Sequence, residues 1–231
     1  MVRLFSHRII LLILGLLLFP DISFSQETED FGTRIGASVS KRFWKKLEVG
    51  LGEELRFKNN SQDIDQWANE ADISYTILKK VFKIGVGYDL KGEWNEYDEY
   101  FDFKHRFNGY FTLKHDISRV NISWKSCYQI TYKNPDYGYY KWNPKNYWRN
   151  KINVSYNLPK IALEPYVSFE SFYQMNNYKV NLFDRLRYEA GLEYAFDKHN
   201  SLTLSCRYNQ AINVKKRKNN CQVGLFYHYD F

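Results

Sequence analysis

After its first twenty residues the chain lacks any long hydrophobic run: nothing later approaches about 18 consecutive apolar residues, which excludes a membrane-spanning helix in the body of the protein. Histidine and cysteine are scarce, five and three residues, and they are scattered without metal-ligand spacing. No metal and no cofactor is therefore expected. No nucleic-acid motif accompanies the basic residues, so nucleic acid is not an expected partner. The formal charge of +7 falls to about +6 once Arg3, Arg8 and Asp21 are set aside with the leader described below. Acidic residues are interspersed with basic ones, and the modest excess suits the anionic headgroups of membrane lipids.

The leader is the one strongly apolar segment. Arg3 and Arg8 flank a short positive region, Ile9 to Phe19 is unbroken apolar sequence, and Ser23-Phe24-Ser25 places small residues where a signal peptidase reads. Residues 1–25 read as a cleaved secretory signal peptide, with residues 26–231 as a single domain. No Cys follows the cleavage site, which argues against a lipid-anchored lipoprotein.

The body is rich in aromatics, 20 Tyr, 17 Phe and 6 Trp, or 19% of residues, yet polar on average. That combination suits strands that alternate apolar outside and polar inside, with aromatic girdles at the rims of a lipid-exposed barrel. The last segment shows the pattern most plainly. Cys221, Val223, Leu225, Tyr227, Tyr229 and Phe231 occupy every second position, and the chain ends on the aromatic. The stripe resembles the C-terminal strand that bacterial outer-membrane barrels present to their assembly machinery, and it casts Tyr227, Tyr229 and Phe231 as the assembly signal.

The same period of two recurs along the chain. Leu47, Val49, Leu51, Leu55 and Phe57 oppose Glu48, Gly50, Gly52, Glu54 and Arg56, with Glu53 breaking the apolar set; Phe82 to Leu90, Val120 to Tyr132 and Leu186 to Phe196 repeat it. Short connections near Trp44-Lys45, Lys79-Lys80, Asp116-Ser118, Pro159-Lys160 and Asp197-Asn200 alternate with longer polar ones. The fold class is all-β, a transmembrane antiparallel up-and-down β-barrel. Ten connections imply eleven strands, whereas single-chain bacterial barrels have an even number. Demoting the weakly patterned segment Gly32 to Phe43 to less than a full strand leaves about ten strands, with twelve as the alternative.

Lys45-Lys46-Leu47 leading into Glu53-Glu54-Leu55-Arg56-Phe57, and Tyr75-Thr76-Ile77-Leu78-Lys79-Lys80 leading into Gly85-Val86-Gly87-Tyr88, resemble an uncharacterised Gram-negative outer-membrane family catalogued as domain of unknown function 2490. The resemblance implies a barrel in the outer membrane, in contact with its lipids and with the barrel assembly machinery. It carries no catalytic residues to transfer.

Three groups of residues are candidates for function. The inward phase is charged, with Glu54, Arg56, Asp89, Lys104, Arg106, Arg187, Glu189 and Arg207 as the expected lumen network. Buried charges must pair, so a packed interior is expected. The outer loop contributes Tyr137, Tyr139, Tyr140 and Trp142 as a weak binding surface. His199 and Ser201 have the His-x-Ser spacing of lipid A deacylases, but they sit at an expected periplasmic turn; His105 and His228 read as structural. The preferred function is a structural or interaction barrel with an ion-paired lumen, then a small-solute channel, and last a lipid hydrolase. Cys206 and Cys221 are expected to be out of direct register as thiols. Oligomeric state is left open.

Overall fold

A computed structural model describes residues 28–95, 99–133, 144–177, 179–214 and 218–231. The leader 1–25 and the loop aromatics Tyr137, Tyr139, Tyr140 and Trp142 lie outside the described residues. Eleven strands follow in order: β1 (Thr28–Phe43), β2 (Leu47–Lys58), β3 (Asp63–Leu78), β4 (Phe82–Asn95), β5 (Tyr100–Ile117), β6 (Val120–Lys133), β7 (Lys145–Tyr156), β8 (Leu163–Gln174), β9 (Leu182–Ala195), β10 (Asn200–Ala211) and β11 (Lys218–Asp230). Each pairs antiparallel with its neighbours in sequence, and β1 pairs with β11 to close the barrel.

That closure corrects one expectation. The segment from Gly32 to Phe43 is not a partial strand but most of β1, sixteen residues long and hydrogen-bonded on both sides. The count is eleven, between the ten and twelve the pattern suggested. An odd up-and-down count makes the first and last strands run the same way, so β1 and β11 pair in parallel, from Thr28 opposite Lys218 to Ser40 opposite Asp230. Its weak apolar content does not exclude β1, because β1 is what pairs the edges of β2 and β11 here, and lipid offers nothing to satisfy their backbone groups.

Connections sort by end. The β1–β2, β3–β4, β5–β6, β7–β8 and β9–β10 connections have two to six residues and share an end with the C-terminus; those at the opposite end have four to eleven. The β1–β2 turn is tight: Lys46 donates its amide to the Phe43 carbonyl at 3.1 Å, and Trp44 and Lys45 adopt φ of 47° and 62°. Two consecutive left-handed residues match the twist of the flanking strands.

Exposure is inverted relative to a water-soluble protein. Leu51, Val86 and Val167 on the outer wall are 57–60% exposed, while Lys91, Arg34 and Glu170 inside are 1–4% exposed. Only Ala68, Cys127, Tyr147 and Phe172 form an apolar buried set among the described residues. The core is therefore the charged lumen, and the apolar surface faces outward, as a bilayer requires. Inward aromatics fill it beside glycines: Tyr110 lies directly opposite Gly85 and Phe226 opposite Gly36, each ring occupying the space a Cβ would need.

Candidate functional site in the lumen

Alternation aims the charged residues of nearly every strand at the lumen, and strand register decides which of them meet. Glu54 on β2 accepts from Arg56 two residues on and from Arg34 on β1, both Nε to Oε1 at 2.7 Å. Arg34 also reaches Glu189 on β9 at 3.5 Å and lies over the Phe226 ring, 4.7 Å from its centroid. Glu189 in turn pairs with Arg207 directly opposite on β10, accepts from Tyr166 at 3.2 Å, and has Lys151 on β7 at 3.9 Å. Glu54, Arg34, Glu189 and Lys151 thus form a chord that joins the β2 wall to the β7 wall.

A second cluster sits on β7 to β9. Glu170 accepts from Arg149 at 2.7 and 2.9 Å and from Arg187 at 3.1 Å. The guanidinium groups of Arg149, Arg185 and Arg187 all lie 4.8–4.9 Å from the centroid of the buried Phe172 ring. On β4 and β5, Asp89 pairs with Arg106 directly opposite at 3.3 Å and accepts from Asn108. Lys104 pairs with Glu93. All eight expected lumen residues, Glu54, Arg56, Asp89, Lys104, Arg106, Arg187, Glu189 and Arg207, are therefore in ion pairs, but in four separate groups.

The interior is not solid. A central cavity of about 770 Å³ is bounded by twelve Arg and Lys side chains and six carboxylates. Smaller cavities of about 320 Å³ and 240 Å³ flank it, the first toward the short-turn end with Glu164, Glu193 and His228 on its wall, the second toward the other mouth with Asp65, Asn209 and Asn220. Arg34 and Lys151 line both the first of these and the central cavity, so the chord marks the waist between them. Four of the twelve central cations, Lys91, Lys114, Lys125 and Arg185, make no ion pair with any described residue. Lys91 is 1% exposed. Lys125 rests 3.6 Å above the Tyr110 ring, whose hydroxyl donates to Asp72 at 2.7 Å.

Arg34 is absent from the expected lumen network because it lies on the segment Gly32 to Phe43, expected to be less than a full strand. Its signal was present: it falls on the phase opposite Ile35, as Arg56 falls opposite Leu55. Phe172 and Phe226 were missed because they are aromatics on a polar phase, visible only once the facing glycines and arginines are placed.

The hydrolase residues do not assemble. His199 Nδ1 is engaged with the Asp230 carbonyl at 2.6 Å and makes no hydrogen bond to Ser201 among the described residues. At the same turn, hydrogen bonds from the His199 amide and then from Asn200 hold the Asp197 carboxyl below its ordinary value. His105 faces out against the Tyr88 hydroxyl at 2.8 Å, and His228 faces in against Ser38 at 2.7 Å. No cluster of His, Cys, Asp and Glu among the described residues is arranged to hold a metal. Cys206 pairs in register with Val223 and Cys221 with Tyr208, leaving the two sulfurs diagonal and 3.9 Å apart.

A family model described as "Protein of unknown function (DUF2490)" matches residues 32–220. No curated protein matches the sequence. Among solved structures, one described as a KdgM porin is 15% identical with a TM-score of 0.46, over 78% of this chain and 91% of that one. Another, described as a KdgM porin in complex with disordered oligogalacturonate, is 14% identical with a TM-score of 0.45, over 78% and 90%.

Proposed function

We propose, for a chain that belongs to the DUF2490 family of unknown function, that it is an outer-membrane barrel whose lumen passes small anions through a waist narrowed by ion pairs. The observation that carries this reading is the surplus on the central wall, where Lys91, Lys114, Lys125 and Arg185 have no ion pair with any described residue. An interior built only to fill itself would match its charges, since an unmatched buried cation is costly. A surplus facing an aqueous cavity instead lowers the energy of a passing anion. Purified barrel in lipid vesicles is expected to admit small organic anions faster than cations of equal size. Equal exclusion of both would return the barrel to a closed, structural role, which the chord through Arg34 and Glu189 favours.

Placement in the outer membrane rests on the apolar outer wall and on the C-terminal strand. Phe231 is 65% exposed and ties its amide to the Ser40 carbonyl at 2.8 Å, at the short-turn end of the β1–β11 seam. We assign Tyr227, Tyr229 and Phe231 as the recognition stripe for the assembly machinery, after removal of residues 1–25 by signal peptidase. Phe231→Asp is expected to lower the amount of heat-modifiable barrel in the outer-membrane fraction severalfold. Unchanged insertion of that variant would contradict the assignment.

A further inference from the structure

The lipid-facing wall carries polar side chains at mid-height in two places, and the chain treats them differently. On β6 and β7, Ser126 and Asn150 are directly opposed on the outward phase. Each is answered from within the chain, Trp148 Nε1 donating to Ser126 Oγ at 2.7 Å and Trp124 Nε1 donating to Asn150 Oδ1 at 3.3 Å. On β2 and β3, Glu53 and Asn69 are likewise directly opposed on the outward phase. Glu53 is exposed, and neither residue has a hydrogen bond or ion pair with any described residue.

Their depth narrows the choice of partner. Glu53 is the seventh of the twelve residues of β2, and with about 3.3 Å per residue and a tilt near 40° it lies about 15 Å from the turn end, close to the middle of an apolar band about 25 Å tall. Acyl chains offer it no hydrogen bond, and headgroups and bulk water are too far away. What satisfies it must be a protein surface embedded at the same depth that presents both donors and acceptors.

We infer that this face joins two copies of the chain about a two-fold axis along the membrane normal. Such an axis holds both copies at one depth and makes every contact reciprocal, so Glu53 of one copy meets Asn69 of the other twice over. A carboxyl group and a carboxamide complement one another directly, whereas an unrelated partner would have to supply the matching pair independently. Neighbouring side chains suit close approach. Ala37 lies opposite Glu53 on β1, and Ala71 opposite Leu51 on β3, both small and outward. Ile35, Leu51 and Ile73, 55%, 57% and 49% exposed, surround the polar pair with apolar surface.

The test is the mass of the protein in detergent and in lipid nanodiscs, by light scattering with the detergent or lipid contribution removed. Wild type is expected to contain two copies. Glu53→Leu and Asn69→Leu, each changing an outward side chain without touching the lumen, are expected to give one copy with unchanged heat-modifiable mobility. Glu53→Gln, which keeps a donor and an acceptor, is expected to retain two. Wild type with a single copy, wild type held instead by a different protein, or Leu variants that remain paired would each overturn the inference. Conductance plays no part in this readout, so it stands or falls separately from the anion reading.

Discussion

The waist of the lumen and the cavity wall beside it are built from the same residue types, yet they handle charge in opposite ways. At the waist each carboxylate is shared: Glu54 serves Arg34 and Arg56, and Glu189 serves Arg34, Arg207 and Lys151. On the cavity wall Lys91 and Arg185 make no ion pair with any described residue, although Asp89 is only two residues from Lys91. Asp89 is taken by Arg106 and Asn108. The difference separates two roles: shared carboxylates brace the walls across the barrel, and surplus cations set the potential that a solute meets.

The largest effect is expected at the brace. Glu189→Gln takes a shared carboxylate from three cations and is expected to cost on the order of 3 kcal/mol, read from urea unfolding of the barrel folded in vesicles. Wild-type stability in that variant would erase the distinction. Arg34→Ala comes next. Glu54 keeps Arg56 and Glu189 keeps Arg207, so the loss is expected to be only about 1 kcal/mol, while single-channel conductance rises severalfold as the chord opens. Conductance unchanged by that substitution would place the constriction elsewhere. The smallest effect on stability belongs to the wall. Lys91→Met removes an unmatched buried cation, so stability is expected to hold or rise by up to about 1 kcal/mol, with a reduced preference for anions. A marked loss of stability would show that Lys91 is a brace after all.

Much of the fold is legible in the sequence because a period of two states which face each residue takes. The outward sets of β2, β4, β6 and β9 and the inward charges from Glu54 to Arg207 all follow from it. Strand ends are less legible where polar residues continue the strand: β3 begins at Asp63, inside the polar stretch from Asn59 to Gln66. β1 is illegible by the same measure, since its outward set includes Thr33, Ala37 and Lys41. It is placed by its pairing with the edges of β2 and β11, which no local pattern reports. The candidate site shows the same limit. Alternation turns Arg34 and Glu189 inward, but their meeting across 155 residues depends on barrel closure and register. Glu53 was visible as an exception, while its alignment with Asn69 required the pairing of β2 with β3.

The reversal potential of the wild-type barrel in a planar bilayer under a potassium chloride gradient tests the central claim most directly, because it reads the sign of the lumen rather than its width. A central wall with four cations outside any ion pair among the described residues predicts a steady conductance whose reversal potential lies toward that of chloride. Reversal toward potassium, or no conductance at all, would contradict it.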